Sequence, residues 1–203
     1  HVLFRRQRQM CIRDSLFISS EDCIMPLTKL NNQSLSAVSA LPAGVGGKVL
    51  QVIQEIETAA NSETLATGTF SAAILSASIT PSSATSKILV MCNLHLATST
   101  STSGCHAVLK RNGSGIGLGD AAGNATRSTG GNLGNSLSTR TMSSIGMSIL
   151  DTPSSTSAIT YTAHGKHGAV GSAVLYWNRE QSGDTDPMDG RVSSTITLLE
   201  LAL

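Results

Sequence analysis

Residues 74–96, ILSASITPSSATSKILVMCNLHL, alternate apolar and small polar side chains in two runs separated by Thr80-Pro81-Ser82-Ser83. This period of two constrains the chain more than any other feature. A helix shows its apolar face every three to four residues, whereas a half-buried strand shows it every second residue. The pattern puts Leu75, Ala77 and Ile79 on one face and Ile74, Ser76 and Ser78 on the other. Pro81 ends the first run and a second strand starts beyond it.

The same alternation recurs along the chain. It predicts strands near 48–57, 65–71, 73–80, 87–97, 105–111, 115–119, 142–150, 158–164, 169–178 and 191–202. In the first of these, KVLQVIQEIET, Leu50, Val52 and Ile56 share a face. Asn112-Gly113 marks a tight hairpin, because both residues tolerate the positive φ of a type I′ turn. LDTPSSTS (150–157) sets Asp and Pro at turn positions between two alternating runs. The Gly/Asn/Ser stretch from Asp120 to Arg140 has no period and is expected to be a long surface excursion. Many short strands without helical periodicity between them predict an all-β fold, an antiparallel β-sandwich of jelly-roll-like kind, and argue against a βαβ fold. Leu27, Leu30, Leu35, Val38 and Leu41 are loosely spaced ahead of Pro42 and three glycines. They predict a short N-terminal helix or extended arm followed by a linker.

A chain of 203 residues suits one domain of ordinary size. Aromatic residues are scarce (one Trp, two Tyr, three Phe), so Val, Ile, Leu, Ala and Met must build the core. About a quarter of the residues are Ser or Thr. No apolar run approaches the ~20 residues of a spanning helix, so no membrane insertion is expected.

The front end differs from the rest. HVLFRRQRQMCIRDS holds Arg5, Arg6, Arg8 and Arg13 without the apolar h-region of a signal peptide. RQRQMCIRDS resembles the translated adapter read-through found at the ends of assembled environmental sequences. Residues 1–24 are therefore expected to be a non-native leader, with the true start near Met25, an attachment arm and linker over 25–47 and a head domain over 48–203. The leader takes four of the fourteen basic and three of the thirteen acidic residues, leaving ten of each in the body. A neutral body lacks the basic stripe that supplies most nucleic-acid affinity, so no nucleic-acid partner is expected. Cys11 and Cys23 belong to the leader. Cys92 and Cys105 remain, and a hairpin centred near Ser101 would set Cys92 opposite residue 110, out of register with Cys105.

Motifs that carry chemistry are few. GLGDAA (117–122) fits the G-x-G-x-x-A form of a dinucleotide fingerprint, but a poor helix former follows it and Arg140 stands where a ribose-binding carboxylate is required. Cys92 and His95, Cys105 and His106, and His164 and His167 sit one or three apart, so strand geometry sends each pair to opposite faces. Only AHGKH, looping at Gly165, would bring His164 and His167 together. Surface or crevice histidines are the plainer reading. Asp184, Asp186 and Asp189 in GDTDPMDGR offer oxygen ligands for a weak calcium site, although the spacing misses the EF-hand loop and its closing Glu. A solvated turn is the alternative. There is no G-x-S-x-G and no recognisable Ser/His/Asp arrangement. Asn32, Asn112 and Asn124 lie in N-x-S/T sequons, as expected by chance in so Ser/Thr-rich a chain. No catalytic, cofactor-binding or metal-ligating residue is assigned, and no cofactor is expected.

Five stretches together resemble, in order, a family of small structural proteins of tailed bacteriophages, abundant in aquatic viral genomes and generally labelled tail fibre or virion structural protein. They are LPAGVGGKVLQVIQ (41–54), LSASITPSSATSKILVM (75–91), GDAAGNATR (119–127), LDTPSSTSAITY (150–161) and STITLLELA (194–202). The resemblance spans most of residues 25–203 and carries no catalytic residue. It implies a β-sandwich head on an N-terminal arm, displayed on the virion, often as a homotrimer, with loops that meet the host surface. The expected role is thus a non-enzymatic tail-fibre or fibre-tip subunit. Its arm would bind other virion proteins, and its loops a host glycan or surface protein. It would be assembled in the host cytoplasm and exposed on the particle. A capsid decoration protein and a glycan depolymerase are the alternatives. Tyr176 or Trp177 would stack on a sugar if exposed, or fill the core if turned inward.

Overall fold

Strands in this chain pair like nested brackets. The computed structural model describes residues 49–100, 103–132, 140–183 and 186–202. The expected leader, the N-terminal helix or arm, and Asp184 lie outside these residues. Among the described residues eleven strands form: β1 (Val49–Glu57), β2 (Asn61–Leu65), β3 (Leu75–Ile79), β4 (Lys87–Thr98), β5 (Cys105–Arg111), β6 (Ser114–Ile116), β7 (Gly130–Asn132), β8 (Ser143–Asp151), β9 (Ile159–His167), β10 (Ala173–Trp177) and β11 (Ser194–Leu201). β1 pairs with β11, β2 with β10, β3 with β9, β4 with β8 and β5 with β7, all antiparallel, and β6 sits at the apex. The described residues form one long hairpin ribbon rolled up on itself.

Rolling brings turns of the ribbon side by side. Sheet A runs β1-β11-β4-β10-β2, with β8 on the other edge of β4; sheet B runs β3-β9-β5-β6, with β7 also on β5. Apart from the β2·β10 pair and β6, eight strands remain. They pair first with last, second with seventh, third with sixth and fourth with fifth, which is jelly-roll connectivity. The all-β sandwich expected from the alternation is the fold observed.

The core lies between the sheets. Leu75, Ala77 and Ile79 point into it, as their spacing requires, against Ile88, Val90, Leu94 and Leu96 of β4 and Ile196 and Leu198 of β11. Gly165 faces inward in β9, where an added Cβ would lie 2.9 Å from side-chain atoms of Leu96 and Leu175. Glycine allows the sheets to approach here. It does not form the loop that a His164/His167 metal pair would have required, because β9 continues through His167.

Other expectations need correction. The strand expected over 65–71 lies at 61–65, a polar edge segment held by pairing with β10, whereas 66–69 turn at Gly68. The excursion from Asp120 contains β7, too short and too glycine-rich to show an alternating pattern. Thr129 positions it: its amide donates to Ala107 O, and its hydroxyl accepts from Leu109 N and donates to Ile116 O. β4 and β5 do not form a hairpin, since they belong to opposite sheets. Cys92 and Cys105 both face the core and are both free. The Asn112-Gly113 turn forms as expected, with φ of 47° and 86°.

Buried polar side chains lock the ribbon. Glu200 in β11 is fully buried. One carboxylate oxygen accepts from the Ser82 amide (2.7 Å) and hydroxyl (2.6 Å), the other from Gln51 Nε2 (2.6 Å). Burial pushes its pKa up, but hydrogen bonds, led by the Ser82 hydroxyl, outweigh burial and bring it down to about 2. At the other end of the strand, Asn178 Nδ2 donates to Glu57 O and Ala59 O, and its Oδ1 accepts from Ser194 Oγ. Asp151 accepts from both the Tyr161 hydroxyl (2.6 Å) and Arg111 Nη1 (2.9 Å), tying β8 to β9 and β5.

A carboxyl with a lowered native pKa stabilises the fold above its unfolded value, about 4.3, and ceases to do so as pH falls through the native one. Glu200→Gln is expected to cost about 2–3 kcal/mol at pH 7, read from the urea midpoint. The gap between wild type and variant should close as pH drops from about 4.3 toward 2.

Candidate interaction surfaces

The two outer faces of the sandwich differ in kind. Sheet B turns Ser76, Ser78, Thr160 and Thr162 outward, together with Lys110 and His164. Lys166 lies among them, its ammonium 5.7 Å from the centre of the Phe70 ring. Burial lowers the pKa of Lys166, and burial followed by the Lys166 charge lowers that of His106.

The histidines are pinned as structural groups. His164 Nδ1 bonds Ser71 O at 2.9 Å and its Nε2 meets Thr162 Oγ1. His167, expected as a surface or crevice histidine, is buried. Its Nε2 meets Leu65 O at 2.9 Å and its Nδ1 accepts from Ala169 N. The two rings leave β9 on opposite faces, and among the described residues no three His, Cys, Asp or Glu side chains gather in a metal-holding group.

In the acidic turn, Arg140 Nη2 donates to Asp186 at 2.8 Å, and its Nε lies 3.7 Å from Asp189. This hydrogen bond holds the Asp186 carboxyl below its usual range. Asp189 also accepts from Ser182 Oγ and Asp186 N. Asp186 and Asp189 thus neutralise an arginine and brace their own turn. GLGDAA is likewise a loop, with Gly117 at φ 60°, and Arg127 Nε reaches back to Gly119 O.

Sheet A presents the opposite chemistry. Side chains on the outer face of β1, β11, β4 and β8 line up in rows set by register: Val52, Leu199, Leu89 and Leu150 form one, and Gln54, Thr197, Met91 and Ser148 the next. Val49, Leu50, Val52, Ile56, Met91 and Leu150 are 39–57 % exposed. The face that Leu50, Val52 and Ile56 share is therefore turned to solvent. Along β4 it carries no charge between Lys87 and His95. Beside Met91 a depression of about 350 Å³ opens over Gly146, where an added Cβ would touch nothing.

A third surface closes the end of the sandwich reached by β4 at Thr98. Backbone bonds tie Gly168 N to Gly104 O and Ser99 N to Val174 O, while Thr67 Oγ1 both donates to Gly171 O and accepts from its amide. Val170 projects from this platform, 96 % exposed. Val49 enters at the opposite end of β4, level with Leu201 and Lys87. Of the two aromatic candidates, Trp177 packs against the core, and the outward Tyr176 ring is covered by the Arg179 guanidinium at 5.2 Å. Among the described residues no helix is long and apolar enough to cross a membrane.

No family model matches the chain, and no curated protein matches it. Solved structures similar to it include the VP2 protein of infectious bursal disease virus as a D431N mutant in T=1 particles (TM-score 0.39, 16% identity over 75% of this chain and 36% of that one). Two others are the T=1 particles derived from the same virus (TM-score 0.38, 16% identity, 75% and 36%) and its Gx strain (TM-score 0.37, 14% identity, 75% and 38%). The chain spans little more than a third of the length of those proteins.

The two thiols offer a direct check on the packing. Burial pushes Cys92 and Cys105 up to about 12, so neither should react with iodoacetamide at pH 8 in the native protein. Both should alkylate within minutes in 6 M guanidinium, counted by mass spectrometry.

Proposed function

We propose that this chain is a non-enzymatic structural protein of a bacteriophage virion, a tail-fibre or fibre-tip subunit whose end loops meet a glycan or protein on the host surface. The observation that carries this reading is the division of the molecule by β4. The first described strand starts at Val49 beside one end of that strand, and a hydrogen-bonded loop platform around Thr67, Gly104 and Gly171 closes the other. Twelve residues at about 3.3 Å each separate the ends by roughly 35–40 Å. A rigid scaffold that holds loops at the far end from its point of entry suits display. Cross-bonded loops also lose little entropy when a ligand binds.

The resemblance of the turn and strand motifs to tail-fibre and virion proteins supports the same role. So does the use to which the polar side chains are put: Glu200, Asn178, Asp151 and Tyr161 each hold two or more strands together. Fibre subunits of this kind are expected to be homotrimers, attached to other virion proteins through residues 25–47.

The test is binding of the purified full chain to panels of bacterial lipopolysaccharide, capsule and intact cells. Saturable binding without new reducing ends is expected, and Val170→Asp should weaken it at least tenfold with an unchanged thermal midpoint. Release of reducing ends would establish the depolymerase alternative, and absence of binding across the panels would overturn the recognition role.

A further inference from the structure

We propose that the outer face of sheet A is the surface through which copies of this chain pack against one another. The inference rests on the chemistry of that face and holds whether or not the end loops recognise a host.

Three observations name a second copy as the occupant. The first is area. Six half-exposed aliphatic side chains on β1, β4 and β8 present on the order of 500 Å² of apolar surface, toward the upper end of the about 300–600 Å² of the largest patch on an ordinary monomer. Partly buried Leu89 and Leu199 fill the row between Val52 and Leu150, so the patch is continuous across four strands. With its rim of threonines and serines it approaches the about 800 Å² that each partner contributes to a standard interface.

The second is charge. An acidic or basic partner would be matched by opposite charge on the face, yet the side chains between the apolar residues are Gln54, Asn93, Ser148, Thr195 and Thr197. Apart from Lys87 at its margin this face carries no charge, so it meets its own copy with little repulsion, and depletion of charge is what marks the centre of an interface between like subunits.

The third is relief. A flat apolar sheet packs poorly on itself, because rows of equal height leave gaps. Here Met91 borders the hollow over Gly146 and Leu150 stands out further along the same strand as that glycine, so the face offers both projections and a recess. Gly146 weakens a strand whose position would accept any side chain, a cost that makes sense where a partner's side chain fills the space.

Analytical ultracentrifugation of the full chain reads the outcome. The wild type should sediment as a multiple of the monomer mass at micromolar concentration. Val52→Glu and Leu150→Glu should each raise the dissociation constant at least a hundredfold. Ser76→Glu, on the outer face of sheet B, should leave it unchanged. All three positions are exposed, so circular dichroism and the thermal midpoint should not move. A wild type that stays monomeric at 200 µM overturns the proposal. So does a multimer indifferent to both glutamates. A monomer in which Met91 resists oxidation as a buried methionine would assign the face to another segment of the same chain, and would equally overturn it.

Discussion

Closing the first strand onto the last is the constraint on which the rest of the structure depends. β11 lies between β1 and β4, so β1 joins sheet A, as its edge strand, only when the two ends of the ribbon meet. Gln51 and Glu200, which join them, are 149 residues apart. Formed first, such a contact would cost about 4 kcal/mol in loop closure beyond the constant term, from the logarithmic dependence on loop length. Nesting removes most of that cost. Once β5, β6 and β7 have met at the apex, each outer pair closes only the short segment left by the pair inside it, and the last step brings β1 to β11, on the far side of β4 from β2·β10. The order favoured by loop entropy therefore runs from the apex outward.

What holds the closed ribbon is a small set of buried polar groups at its corners. Ser82, in the corner between β3 and β4, supplies two of the hydrogen bonds that keep Glu200 ionised inside the protein. Asp151 and Tyr161 stand at the two sides of the corner between β8 and β9 and bond to each other. These corners link the two sheets, so a polar lock there fixes how one sheet sits on the other. A charge buried this way is poor at adding net stability and good at specifying one arrangement, since any slip of register strands a carboxylate without donors. With the conspicuous polar residues employed in this manner, interaction falls to the surfaces: the neutral apolar face of sheet A and the loop platform beyond Thr98.

Much of this was legible in the alternation. Period two located β1, β3, β4, β5, β8, β9 and β11 to within a few residues, because each has one face on the core and one toward water. β2 and β7 escaped for a physical reason: NSETL and GGN have no apolar period, and their pairing is imposed by β10 and β5. The β4–β5 connection read as a hairpin because alternation says nothing about which sheet a strand joins. Leu50, Val52 and Ile56 were visible as a shared face, but only the neighbouring rows show that this face is the outer one. The motifs ITPSSATSK and STITLLELA gave no hint that Ser82 and Glu200 would meet, since nothing local couples residues 118 apart. The histidine pairs were correctly separated by strand geometry, while the depth of His167 depended on packing that sequence spacing does not contain.

Residue-resolved amide hydrogen exchange in wild type and Ser82→Ala protein tests the closure account most directly. The account predicts one common free energy of opening for the amides of β11, β4 and β9, lowered equally in all three strands by the substitution, because the roll opens as a unit when its ends part. If β1 and β11 open alone while β9 and β5 keep their protection, or if Ser82→Ala affects only residues 80–86, the ends of the ribbon are not what holds the structure together.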